Sequence, residues 1–135
     1  MRIILLLLAF TFWSTSLSAK YGSGEIKLSD KVVSSIHYYV DHPKGKPYIF
    51  LVTADGKNAD FWYCAHSQCV PQGSMNERKR CTERYGSECK VFMIGRSIKW
   101  RNAGVIAARG KERSFSSKDT YQDIVDKLTA LGFLD

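Results

Sequence analysis

Four cysteines and one histidine sit close together in the stretch Cys64-Ala-His-Ser-Gln-Cys69, Cys81 and Cys89. As thiolates they could hold zinc, with Cys64, His66 and Cys69 as donors and Cys81 or Cys89 completing four ligands. As oxidised pairs they would make two disulfides. Neither spacing is the tight Cys-x-x-Cys of a zinc knuckle, a thiol-redox site or a haem attachment sequence. Two local bridges, Cys64–Cys69 and Cys81–Cys89, are the economical connectivity, because each pair can bring its Cα atoms to the ~5.5 Å that a disulfide needs. The other two pairings stay compatible with the sequence.

The remaining candidates for catalysis are thin. His37 lies on the flank of an expected helix with Asp41 one turn on, the layout of an exposed i,i+4 pair. His42 precedes Pro43 in a turn and is expected to face solvent. Asp55 and Asp60 bracket a hairpin turn, and turn chemistry accounts for them. There is no Gly-x-Ser-x-Gly elbow, phosphate-binding loop, His-Glu-x-x-His helix or dinucleotide fingerprint. No catalytic residue, metal site or cofactor is assigned. A small hydrolase or metal-dependent enzyme using His66 in the Cys64–Cys69 loop is the alternative to a non-enzymatic protein.

Charge is the stronger signal. The chain carries a formal net charge of +7, and the excess is local: from Arg78 to Arg113 there are eleven Lys/Arg against three Glu. Arg78, Lys79, Arg80 and Arg84 fall on one short expected helix, with Lys90, Arg96 and Lys99 following it. These seven residues form the candidate anion-binding set. An anionic lipid headgroup or acidic glycan of a cell envelope, or another envelope protein, would suit such a face. Nucleic acid would suit it chemically, but export makes that partner improbable.

Export is expected from residues 1–19. Arg2 supplies a positive start, Ile3 to Trp13 an apolar core, and Ser14 to Ala19 a small polar end, the layout of a secretory signal peptide. Eleven residues from Ile3 to Trp13 are too few to span a bilayer, which takes roughly 20. No later run approaches that length, so a soluble mature protein of about 115 residues in the periplasm or medium is expected. Such a compartment is oxidising, which favours disulfides over zinc.

The elements that must position these residues read as one α+β domain over 20–101. Ser29 looks like an N-cap for a helix at 30–41, with Val32, Val33, Ile36, Tyr39 and Val40 on one face. Gly22 to Gly24 reads as a flexible lead, and Glu25 to Leu28 as a short edge strand. An antiparallel sheet of about four strands is expected at 48–53, 59–64, 89–94 and 97–101. The first two make a hairpin about Asp55-Gly56. Alternation puts Phe61 and Tyr63 on one sheet face and Trp62 on the other. A thin helix at 75–85, capped by Ser74 and Glu77, offers only Met75, Cys81 and Tyr85 to a core. A loose linker is expected at 102–115. A last helix at 118–131, within a C-terminal unit 116–135, is capped by Ser116 and Asp119 and carries Tyr121, Ile124, Val125, Leu128 and Leu131 as its stripe.

Asp55, Gly56, Cys64, Cys69, Cys81, Gly86, Cys89, Phe92, Ile98 and Trp100 together carry a resemblance. The pattern resembles a small secreted domain of unknown function in uncharacterised bacterial envelope proteins, and Gly24-x-Ile26-x-Leu28-Ser29 is similar to the lead into its helix. The chain departs from that pattern at Thr82, between Cys81 and Glu83, and at Met93, where a small residue is usual. The resemblance implies a periplasmic or secreted α+β module with two disulfides. It implies no catalytic residues.

Overall fold

The computed structural model describes residues 20–43, 45–64, 69 and 74–135, with Ser74 described by its backbone alone. The expected signal segment, residues 1–19, lies outside them, as do His66 and the loop around it.

Helix α1 (Asp30–Val40) begins at Ser29, whose side chain accepts a hydrogen bond from the Val32 amide at 3.3 Å. That satisfies one of the amides a helix start leaves without an intrahelical partner. Val32, Val33, Ile36, Tyr39 and Val40 are all buried, whereas Tyr38 is exposed. Strands β1 (Lys46–Thr53) and β2 (Ala59–Cys64) form the expected hairpin. Asp55 fixes the turn by accepting from the Thr53 hydroxyl at 2.7 Å and the Lys57 amide at 3.0 Å. Gly56 has φ +75°, and a Cβ there would lie 2.2 Å from the Lys27 carbonyl oxygen. Only glycine meets both conditions.

Helix α2 (Ser74–Tyr85) then leads to β3 (Cys89–Ile94) and β4 (Ser97–Ile98). The sheet is antiparallel throughout, in the order β2-β1-β3-β4. The chain is thus an α+β protein with two disulfides, Cys64–Cys69 and Cys81–Cys89. Phe50, Val52 and Phe92 belong to the larger core under α1, and Phe61 and Tyr63 pack against it. Ile49, Leu51, Val91, Cys81 and Cys89 make a smaller core under α2, with Trp62 packed against it. The alternation along β2 is as the sequence indicates.

Three expectations give way. First, the lead is not a flexible stretch followed by an edge strand. Lys20 to Gly22 pairs with Val91, and Gly24 pairs with Arg101. The reason is Trp100: its ring packs where a Cβ on Gly22 would be, 1.9 Å away, and its Nε1 donates to the Gly24 carbonyl at 2.9 Å. Paired this way, the segment 99–101 leaves β4 after Ile98.

Second, 102–115 is ordered. Asn102 is buried, accepts from the Val105 amide at 2.7 Å and donates to the Leu131 carbonyl at 2.7 Å. It caps a short helix α3 (Ala103–Ala107), which a 3-10 turn (Gly110–Arg113) follows. Val105 and Phe115 are buried in the main core. Two apolar side chains separated by polar residues tie the segment down without helical or strand periodicity.

Third, helix α4 runs over Tyr121–Ala130 and is capped by Thr120 and Asp123, not Ser116 and Asp119. The Ser116 amide does donate to Asp119 at 2.9 Å, but as a turn one step earlier. The later start keeps Ile124 and Leu128 fully buried, whereas Tyr121 is largely exposed. Beyond the helix, the Phe133 amide donates to the Leu128 carbonyl at 2.9 Å, and the buried ring packs 4.9 Å from Phe92. The C-terminal unit is therefore docked on the core.

Candidate functional site

Helix α2 carries four of the seven candidate cations, so its fixation decides what they can do. Its sequence is polar and its apolar face narrower than expected. Met75 is 71% exposed, leaving the buried Cys81 and the half-buried Tyr85 as the apolar contacts. Cys81 is fully buried and bonded to Cys89 of β3, with Cα atoms 5.9 Å apart. Thr82 accepts from the Cys89 amide at 3.1 Å, and the Tyr85 hydroxyl donates to the Ala59 carbonyl at 2.9 Å. Covalent and polar ties thus stand in for a hydrophobic stripe.

The cations divide by what they touch. Lys79 and Arg80 project into solvent, and Arg78 is half-buried. Lys20 lies close enough to Arg78 to feel its charge: its ammonium pKa is lowered, first by burial and then by that guanidinium. Arg84 pairs with the mostly buried Asp60 of β2 at 3.0 Å, a contact that is ionic rather than a well-angled hydrogen bond. Lys90 alternates with Cys89 and Val91, which face α2, and pairs across the sheet with Val52 of the other core. It points away from α2 and forms an ion pair with Glu88 at 3.7 Å. Arg96 donates from Nε to the Val40 carbonyl at 3.1 Å, closing the C-terminal end of α1, where a cation is favoured.

Lys99 sits elsewhere. It lines a hollow of about 320 Å³ together with Arg101 and Arg113. The structure therefore leaves Arg78, Lys79 and Arg80 outside the ion pairs among the described residues, commits Arg84, Lys90 and Arg96 to structural contacts, and moves Lys99 to a separate site. Sequence reasoning missed Lys20, Arg101 and Arg113 as partners. Nothing in local spacing joins residue 20 to residue 78, or residue 101 to residue 113.

The remaining candidates are accounted for by contacts. The cysteine sulfurs are bonded in pairs, which replaces the zinc arrangement. His37 makes an edge contact with Tyr121 at 5.9 Å, and no ion pair joins it to Asp41 among the described residues. His42 does not face solvent freely. It stacks on Tyr63 at 4.1 Å and meets Tyr38 edge-on at 5.1 Å. The larger cleft, about 830 Å³, runs between α3 and α4 and is lined by Glu112, Asp119, Asp123 and Asp126. Each of these carboxylates already holds a partner: the Arg109, Ser116 and Thr120 amides and the Gln122 side chain, respectively. Three of them serve caps and turns, and Asp126 makes an i,i+4 contact within α4.

Comparison of the chain with known protein families, with curated proteins and with solved structures finds no match. No helix among the described residues is long and apolar enough to cross a membrane. The two disulfides point to an oxidising, extracytoplasmic compartment.

Proposed function

We propose that the protein is an exported, non-enzymatic envelope module that binds an anionic envelope component through α2. The observation that carries this reading is a cationic helix held rigidly by contacts other than Arg78, Lys79 and Arg80. The Cys81–Cys89 bridge and the Tyr85–Ala59 hydrogen bond fix the inner side, while Lys79 and Arg80 stay in water and Lys20 adds charge beside Arg78. Little ordering entropy is then lost on binding, because the backbone carrying the charges is already fixed. The two disulfides and the signal-like composition of residues 1–19 support a periplasmic or secreted location. An anionic lipid headgroup or acidic glycan fits a solvated cationic face of this kind, and a second envelope protein with an acidic patch fits it too.

The test is co-sedimentation with vesicles of zwitterionic lipid, with and without anionic lipid, and with an acidic glycan, at two salt concentrations. Each basic residue near an anionic surface contributes about 1 kcal/mol. Replacing Arg78, Lys79 and Arg80 together by Glu should therefore reduce binding by more than about a hundredfold at low salt. Raising the salt should weaken the parent, as the Debye length shrinks to ~8 Å. His66→Ala should leave binding intact. Equal binding by the charge-reversed protein would overturn the reading, and a hydrolytic activity abolished by His66→Ala would replace it with the enzymatic one.

A further inference from the structure

The hollow holding Lys99 has the makings of a second, discrete site. Its three cations come from two segments: Lys99 and Arg101 from the stretch after β4, and Arg113 from the 3-10 turn. Among the described residues no carboxylate lines it, and none of the ion pairs involves these three side chains. The Nε of Arg113 is buried and has no hydrogen-bond partner among the described residues. A buried donor left unpaired costs about 1–3 kcal/mol, and Arg113 is itself one of the residues lining the hollow. Exposed apolar groups border the same hollow. Tyr21 is 38% exposed and Ile106 60% exposed, and the buried Ile98 and Val105 lie beneath.

We propose that this hollow binds a phosphate monoester carrying a small apolar group. The charge count selects the head. A phosphate monoester bears about −1.5 to −2 at neutral pH, which matches three cations better than one carboxylate or sulfate ester does. Two guanidiniums offer paired N–H donors in the geometry that phosphate oxygens accept. Tyr21 and Ile106 select the rest, since an inorganic ion would leave both uncovered. A volume of about 320 Å³ restricts the occupant to a small molecule or the end of a larger one. The walls are also pre-arranged. Arg101 is held to Gly22 and Gly24 by backbone hydrogen bonds of 2.9 Å, and the Phe115 amide after the 3-10 turn donates to the Arg96 carbonyl at 2.9 Å.

Phenyl phosphate and inorganic phosphate, titrated into the full mature protein and followed by amide NMR shifts, test the proposal. Phenyl phosphate should saturate and shift the amides of Tyr21, Lys99, Arg101 and Ile106. Arg101→Glu and Arg113→Gln should each weaken it at least about tenfold, the loss of one charge-assisted contact. Ile106→Ser should weaken phenyl phosphate about threefold and leave inorganic phosphate unchanged. Should Arg113→Gln fail to fold, Arg101→Glu decides, because that side chain is exposed. Phosphatidylcholine vesicles containing phosphatidic acid identify the natural source. Displacement of phenyl phosphate assigns the site to a lipid headgroup, and no displacement assigns it to a soluble ester. Lys79→Glu with Arg80→Glu should not change phenyl phosphate binding, so this site and α2 fail independently. No saturable binding, binding unaltered in Arg101→Glu, or equal affinity for inorganic phosphate would each overturn the proposal.

Discussion

Removing the two disulfides one at a time separates covalent from packing contributions to the rigidity of α2. The bridges close loops of similar length, with sequence separations of 8 for Cys81–Cys89 and 5 for Cys64–Cys69. Loop-closure entropy alone gives about 2.5 and about 2 kcal/mol, too close to tell apart. Burial makes the difference. Cys81 and Cys89 are both buried in the smaller core, whereas Cys64 is half-buried and Cys69 exposed. Replacing the first pair by alanine also removes packed sulfur atoms, adding about 1 kcal/mol of transfer and cavity cost. The expected losses are therefore about 3.5 kcal/mol for Cys81→Ala with Cys89→Ala and about 2 kcal/mol for Cys64→Ala with Cys69→Ala. With an m-value of about 1–1.5 kcal/mol/M, urea midpoints of the two variants should differ by about 1 M. Hydrogen exchange should show α2 opening early only in the first, because the Arg84–Asp60 pair, whose Arg84 side is largely exposed, supplies at most about 1 kcal/mol. Equal midpoints, or unchanged exchange in α2, would refute the claim that a covalent tie replaces an apolar face.

Other outcomes follow from single contacts. Gly22→Ala should cost about 1–3 kcal/mol and shift Trp100 fluorescence, since the new methyl would meet the indole at 1.9 Å. Limited proteolysis should spare 102–115, because Val105 and Phe115 anchor it. Tyr63 is held protonated by burial and then by Tyr38, and is pushed up to about 12. Its neutral form is favoured in the fold, so its contribution is complete below pH ~10 and lost between about 10 and 12, visible as late phenolate absorbance that Tyr63→Phe removes. At the acid end, the Thr53 hydroxyl and the Lys57 amide lower the pKa of Asp55, so its contribution holds above pH ~3.9 and fades below it. Asp55→Asn should flatten the acid limb of a stability–pH curve.

Where one side chain decides a local structure, the sequence is readable. Ser29 announces α1, Asp55-Gly56 announces the hairpin, and the alternation of Phe61, Trp62 and Tyr63 separates two cores. Where a distant group decides it, the pattern is silent. Gly22 looks like flexibility until the Trp100 ring is seen covering it. Asp60 looks like turn chemistry, yet it meets Arg84 of a helix whose approach depends on the Cys81–Cys89 bridge. His42 looks solvent-facing because the Tyr63 that stacks on it belongs to β2, some twenty residues on. The last helix misleads for a different reason. Ser116–Asp119 and Thr120–Asp123 are overlapping cap patterns, and only burial of Ile124 and Leu128 chooses between them.

The same distinction governs the charge. Seven cations near one helix read as a single face, but local excess cannot tell a cation that binds from one that builds. Arg96 closes α1, Arg84 reaches β2, and Lys90 turns to the opposite side of the sheet to meet Glu88. What remains is smaller and divided. Lys79 and Arg80 stand on a helix pinned by a disulfide, while Lys99 and Arg101 stand on a segment pinned by Gly22, Gly24 and Trp100. Two fixed supports at different spacings suit different ligands. An open helix face engages an extended charged surface through screened, salt-sensitive attraction. A three-cation hollow with an apolar rim can select one head group by direct, charge-assisted hydrogen bonds rather than by net charge alone.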